Sequence, residues 1–205
     1  MGAGQAGQGM ATWQPMRQLL LLRHAKSSWD DPALSDHARP LNARGRRAAA
    51  AIAQAMRELG LAPDIVLVSS ARRTLQTLEA LTPFDDPALI EPMDALYLAP
   101  WRGLLAAIQE VPETARSLLV IGHNPGLHEL AMALAGPEGG TGGGTGASGR
   151  GGLAARRLAE GYPTGALAEF SIATPWHLLE AGGGRLIRFI QPRDLIAADP
   201  AETIG

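Results

Sequence analysis

Gln18-Leu19-Leu20-Leu21-Leu22-Arg23-His24-Ala25-Lys26 decides how the rest of the chain is read. Its leucines run without a polar break, the pattern of a strand buried on both faces rather than on one. Arg23 and His24 follow at once. A cation and an imidazole therefore stand at the carboxyl end of a buried strand, which is where open α/β sheets place their ligands.

Two more segments share this form. Ile65 to Val68 is a β-branched run followed by Ser69, Ser70 and a helix predicted over about 71–81. Leu118 to Ile121 is a third buried-type strand, ending at Gly122 and His123, and the helix after it carries Leu127, Leu130, Ala131 and Leu134. Between the first two strands lies a polar loop, Asp30 to Pro40, and then a helix. Asn42 is its N-cap, Ala48, Ala51, Ile52, Ala55, Met56 and Leu59 recur at helical spacing, and Gly60 stands at C′. Ala88 to Ile90 is a weaker strand candidate, and Trp101 to Gln109 reads as another helix. Ala166 to Ile172 and Arg185 to Ile190 are late strands, with a loop at Pro192, and their short link allows one antiparallel member. Strands alternating with helices indicate an α/β fold, a three-layer sandwich around a mostly parallel sheet.

The chain has 205 residues, 46% of them hydrophobic, enough to bury one sizeable core. Residues 17–196 are read as a single domain, 1–16 as a flexible leader and 197–205 as a tail. A glycine-rich stretch at about 136–152 holds too little apolar surface to order itself and is read as a loop insertion. It lacks the lysine and the preceding strand of a phosphate-binding glycine loop. A formal net charge of -2 gives no basic excess for nucleic acid. No apolar run approaches the ~20 residues that span a bilayer, and the leader has no apolar core of a signal peptide, so a cytoplasmic protein is expected. The absence of cysteine removes disulfides and thiolate chemistry. No group of carboxylates and histidines has metal-ligand spacing, so neither metal nor other cofactor is expected.

Beside His24 and His123, three arginines fall near the same sheet edge: Arg23, Arg39 in the loop before the Asn42 helix, and Arg73 in the first turn after Ile65 to Val68. Such a set suits phosphoryl transfer through histidine. A neutral imidazole nitrogen can attack phosphorus and form a covalent intermediate. Guanidinium groups clamp the equatorial oxygens in bidentate fashion, and their charge holds the imidazole neutral. His123 is expected to donate a hydrogen bond to the same oxygens. His37 and His177 have no supporting neighbours, and His128 is read as a surface or groove residue.

Four blocks, in order, resemble the histidine phosphatase superfamily. Leu22-Arg23-His24-Ala25-Lys26 resembles its RHG signature, with Ala25 in place of glycine. Arg39-Pro40-Leu41-Asn42-Ala43-Arg44-Gly45 resembles its R-P-L-x-x-x-G segment. Ser69-Ser70-Ala71-Arg72-Arg73-Thr74-Leu75-Gln76-Thr77 resembles S-P-x-x-R-A-x-Q-T, and Gly122-His123-Asn124-Pro125 resembles the second-histidine block. Pro163-Thr164-Gly165-Ala166 and Arg188-Phe189 look like the short SixA-type phosphohistidine phosphatase branch. The resemblance implies a phosphoglycerate mutase-like fold, His24 as nucleophile, Arg23, Arg39 and Arg73 as phosphate ligands, and His123 as electrostatic partner. Alignment on Gln76-Thr77 selects Arg73 over Arg72. The general acid of the mutase branch has no clear counterpart, and Asp94 is the nearest candidate by position.

The expected function is a metal-independent phosphatase acting on a phosphohistidine protein, such as a phosphotransfer domain, in signal transduction. A phosphatase of small esters, sugar phosphates or nucleotides, is the alternative. A catalytically silent phosphate-binding module is disfavoured by the intact Arg23, His24, Arg73 and His123 set. Little chain separates Thr77 from His123 for a large lid, so an open crevice is expected. The sequence is silent on oligomeric state.

Overall fold

In the computed structural model, which describes residues 16–136 and 150–196, the leucine run lies near the centre of one six-stranded sheet. The strands are β1 (Arg17–Arg23), β2 (Ile65–Ser69), β3 (Leu89–Met93), β4 (Ser117–Gly122), β5 (Leu167–Ile172) and β6 (Gly184–Ile190), in the order β3-β2-β4-β1-β5-β6. The first four are parallel, and β5 is the antiparallel member, opposed to both β1 and β6.

Leu19, Leu20, Leu21 and Leu22 are each 0% exposed. Because successive side chains leave a strand on opposite faces, the run divides between two cores. Leu20 and Leu22 pack with Ile52 and Met56 of α1 (Ala43–Glu58) and with Leu78 and Leu81 of α2 (Arg72–Leu81). Leu19 and Leu21 pack with Leu104 and Ile108 of α3 (Trp101–Gln109) and with Leu127 and Leu130 of α4 (Gly126–Ala135). Helices therefore cover both faces, giving the three-layer α/β arrangement. Asn42 caps α1 as expected, its side chain accepting from the Gly45 amide, and Gly60 beyond the last turn has φ +64°.

Two elements depart from the sequence reading. β3 continues through Glu91 and Pro92 to Met93. A proline ends a central strand, but β3 is at the sheet edge, where the missing amide costs no ladder bond. The expected glycine-rich loop is cut short by α5 (Arg150–Glu160), a helix with no counterpart in the sequence reading. Gly151 and Gly152 have poor helix propensity, yet Ala154 and Leu158 bury against the core and stabilise the helix from its far side. Residues 137–149 of that stretch, most of the leader and the tail lie outside the described residues. Among the described residues no helix is long and apolar enough to cross a membrane.

Candidate active site

Register assembles the site. Arg23 of β1 is level with Gly122 of β4, so His24 and His123 leave adjacent parallel strands side by side. The His24 amide donates to the Gly122 carbonyl at 3.1 Å, and the two imidazole centroids are 5.1 Å apart. β2 pairs with the other edge of β4, which brings Ser69 to the same row and starts α2 so that Arg73 turns inward. Ala25, where the family signature has glycine, is fully buried, and its amide donates to Thr77 Oγ1 at 3.0 Å. Ala25 is not among the residues of positive φ, so its Cβ is unstrained. Gly45, the glycine of the second block, has a different reason: a Cβ there would lie 2.0 Å from the Lys26 carbonyl oxygen.

His24 Nδ1 lies 2.7 Å from the Ala25 carbonyl, which can only accept, so Nδ1 carries the proton. That leaves a lone pair on Nε2, which receives the Arg73 Nε–H at 3.3 Å. Burial, and then the positive charges of Arg73, Arg23 and Arg39, push the His24 pKa down to about 4, although the Ala25 carbonyl works the other way. The ring is therefore neutral at pH 7, and its Nε2 lone pair, held by the Arg73 Nε–H, is the one that could act as a nucleophile. At His123 the arginine again decides the tautomer. Arg73 Nη2 is 3.2 Å from Nδ1 and can only donate, so Nδ1 accepts and Nε2–H points at Ser69 Oγ, 2.7 Å away. Burial, then His24 and Arg73, lower the His123 pKa to about 3. In this tautomer the His123 proton is on Nε2, toward Ser69, and Nδ1 accepts from Arg73. The Ser69 hydroxyl accepts or donates with equal ease, so it can serve the other tautomer when an anion draws Arg73 away.

Arg73 is buried and links the cluster, whereas Arg72 is exposed. Besides both histidines it donates through Nη1 to the Asp36 carbonyl at 2.6 Å and through Nη2 to Asp36 Oδ2 at 2.9 Å. Arg23 donates through Nη1 to the Tyr162 carbonyl at 2.7 Å, an oxygen shared with Asn124 Nδ2. Its Nε is buried with no hydrogen-bond partner among the described residues. Arg39 touches neither histidine. It donates to the Ser28 carbonyl, to Ser27 Oγ and to Asp36 Oδ1, and its guanidinium carbon lies 3.2 Å from the Trp29 ring centroid. Asp36 thus joins Arg39 to Arg73.

The structure does not bring Asp94 into this cluster. It is exposed at the start of a short 3-10 turn (Asp94–Leu96), and its side chain forms no hydrogen bond among the described residues. The carboxylate at the mouth is Asp36, from the polar loop. Tyr97, three residues after Asp94, donates its hydroxyl to Asp36 Oδ2 at 2.6 Å. That bond, with the charges of Arg73 and Arg39, holds the Asp36 carboxyl below the ordinary carboxylate range. His37 also gains neighbours: Nε2 is 3.0 Å from Ser70 Oγ, and its ring meets Tyr97 edge-on at 4.8 Å. His128 is half-buried and bonds to the Leu158 carbonyl, and His177 pairs with Glu113 away from the site. Among the described residues no His, Asp and Glu group is placed to hold a metal.

The family model of the histidine phosphatase superfamily (branch 1) matches residues 19–131. The chain belongs to that superfamily. It is a phosphatase, and metal-independent chemistry fits the family. The uncharacterized protein Rv1276c of Mycobacterium tuberculosis is 36% identical over 172 residues, covering 84% of this chain and 100% of that protein. A chloroplastic uncharacterized protein of Arabidopsis thaliana, At3g52155, is 37% identical over 58% of this chain and 60% of its own length. Among solved structures, a SixA protein of Nakamurella multipartitia, provisionally assigned as a phosphohistidine phosphatase, superposes with a TM-score of 0.71 at 30% identity, covering 88% of this chain and 98% of that one. The protein histidine phosphatase SixA complexed with tungstate has a TM-score of 0.66 at 23% identity, over 87% of this chain and 99% of that one, and shares the fold. SixA-type proteins are therefore the branch to which the chain is most plainly similar.

Proposed function

We propose that the chain is a phosphohistidine phosphatase that acts on a phosphorylated protein, of the phosphotransfer type, through a covalent phosphohistidine at His24. The observation that carries this reading is the His24 ring, with Nδ1–H tied to Ala25 and the Nε2 lone pair directed at a buried guanidinium. Nε2 attacks phosphorus, Arg23 and Arg73 bind the equatorial oxygens, and the leaving group departs on the far side. Water then attacks the phosphoenzyme, the Nε2–P bond breaks, and phosphate is released. Arg39 acts on the same charge through Asp36.

A protein substrate is supported by the mouth. His24 and Arg73 are buried, but Asp36 is 43% exposed and Trp29 75%, so reacting atoms sit at the base of an open rim. The similarity to SixA proteins points the same way.

The test is rapid quench with a labelled phosphohistidine phosphotransfer protein, followed by a rate screen against sugar phosphates and nucleotides. An acid-labile, alkali-stable phosphoenzyme is expected, absent in His24→Ala, with phosphohistidine protein the better substrate. Normal turnover by His24→Ala refutes the intermediate. Faster turnover of sugar phosphates refutes the substrate.

A further inference from the structure

Asp36 is the residue that the sequence analysis leaves without a role and the structure places most tightly against the chemistry. We infer that the Asp36 carboxylate is the leaving-group partner of the reaction: it accepts a hydrogen bond from the protonated imidazole of a substrate phosphohistidine, and so selects cationic leaving groups over alkoxides. This rests on the phosphohistidine reading above.

Geometry provides the first argument. A single guanidinium, that of Arg73, touches His24 Nε2 at 3.3 Å with its Nε and Asp36 Oδ2 at 2.9 Å with its Nη2. Asp36 therefore lies within one arginine head group of the nucleophile. His24 is 7% exposed and the Asp36 side chain 43%, so the carboxylate is on the solvent side, from which a substrate enters and toward which its leaving group departs. In an in-line displacement the departing atom lies opposite the attacking nitrogen. The far ring nitrogen of a departing imidazole reaches farther outward still, toward the mouth that Asp36 borders.

Charge provides the second. Asp36 accepts from Tyr97, Arg73 and Arg39, and a carboxylate held by that many donors is ionised at neutral pH and has no proton to give. It therefore fails as a general acid toward an alkoxide. It remains an acceptor, since each carboxylate oxygen has two lone pairs and Oδ1 uses one of them on Arg39. A phosphohistidine that carries a proton on its second ring nitrogen meets this need. The His24 Nε2–P bond forms, the substrate N–P bond breaks, and its electron pair passes to the departing nitrogen. The proton stays on the other nitrogen, so the product is a neutral imidazole and no proton crosses from the enzyme. The guanidinium groups of Arg73, Arg39 and Arg23 would otherwise oppose a cationic substrate ring, and Asp36 is the carboxylate that pairs with two of them, Arg73 and Arg39.

The experiment compares kcat/KM for a phosphohistidine phosphotransfer protein and for p-nitrophenyl phosphate, whose leaving group is a stable anion, in wild type, Asp36→Asn and Asp36→Glu. Thermal melts confirm that each variant is folded. Asp36→Asn is expected to lower the ratio of the two rates by about tenfold or more, the scale of one lost charge-assisted hydrogen bond. Asp36→Glu, which keeps the charge, should restore most of the ratio. Equal losses on both substrates in Asp36→Asn would mean that Asp36 only orients Arg73, and would overturn the inference while leaving the phosphatase reading standing. Wild-type protein that leaves phosphohistidine untouched would remove both.

Discussion

Lowering the pH from 7 to 5 should destabilise this protein by about 3–4 kcal/mol through His24 and His123 alone. The native rings have pKa values of about 4 and about 3, whereas an unfolded histidine titrates near ~6.5. The folded state therefore prefers the neutral rings. The stability is complete above the unfolded pKa and is lost as pH falls from there toward the native values. At pH 5 both native rings are still largely neutral, so the loss is set by the protons that the unfolded chain takes up. About 1.5 pH units at ~1.36 kcal/mol each give roughly 2 kcal/mol per histidine. Carboxylates enter later, because the ordinary unfolded range for Asp and Glu is near ~4. Against a typical total of ~5–15 kcal/mol the loss is large. Urea unfolding at pH 7, 6 and 5 measures it, in buffer free of phosphate, since an oxyanion bound to the native site would mask the loss by mass action. The double variant His24→Asn/His123→Asn should lose most of the slope. A wild-type loss below about 1 kcal/mol, or an equal slope in the double variant, would refute the assignment of two neutral buried rings.

Other perturbations separate neighbouring residues. Arg73→Ala should lower kcat/KM by roughly two to three powers of ten, the scale of removing one preorganised charge-stabilising group, while exposed Arg72→Ala should change it several-fold at most. Steady-state kinetics with an aryl phosphate decide between them. Asp94→Asn should alter turnover of any substrate by less than about tenfold, the bottom of the general-acid range, and a larger drop would return Asp94 to the mechanism. Gly45→Ala must move the Lys26 backbone, 2.0 Å from the new Cβ, and should cost about 3 kcal/mol or more by denaturant titration. A near-neutral effect there would mean that α1 packs otherwise against the loop after His24.

What was legible in the sequence follows from what repeats along a chain. An unbroken leucine run has one economical reading, a strand between two layers, and the structure divides it as expected between α1–α2 and α3–α4. Arg73 and Arg72 are adjacent, and only helical phase separates them. The choice of Arg73 rests on the likeness of Gln76-Thr77 to the family block, and Thr77 Oγ1 accepts the Ala25 amide. α5 was hidden because its glycines argue for a loop while its stability comes from residues distant in sequence. Asp36 was hidden for a similar reason. Its loop shows no periodicity, and its meaning depends on Tyr97 and Arg73, which are 61 and 37 residues away. The one local signal was its i,i+3 spacing from Arg39. Ser69 stands within its family block, but nothing local says that its hydroxyl faces a histidine 54 residues on.

The acid sensitivity and the chemistry have one origin. A nucleophilic imidazole must be neutral, and burying it beside Arg73, Arg23 and Arg39 makes it so. The same burial denies the ring its favourable protonation below pH 6.5 and takes that free energy from the fold. Desolvation, not charge, is the largest cause at both histidines, so an arginine variant should leave much of the acid sensitivity in place while removing much of the activity. The guanidinium groups are needed chiefly where negative charge gathers on the transferring phosphoryl group. There, a guanidinium already held by Asp36 and both histidines requires little reorientation when the transition state forms. In the proposed reaction Asp36 keeps Arg73 beside both histidines, and a phosphoryl group that accepts from the Arg73 Nη2–H would free His123 Nδ1 for the other tautomer. Ser69 can accommodate the resulting change at His123 by reversing one hydrogen bond.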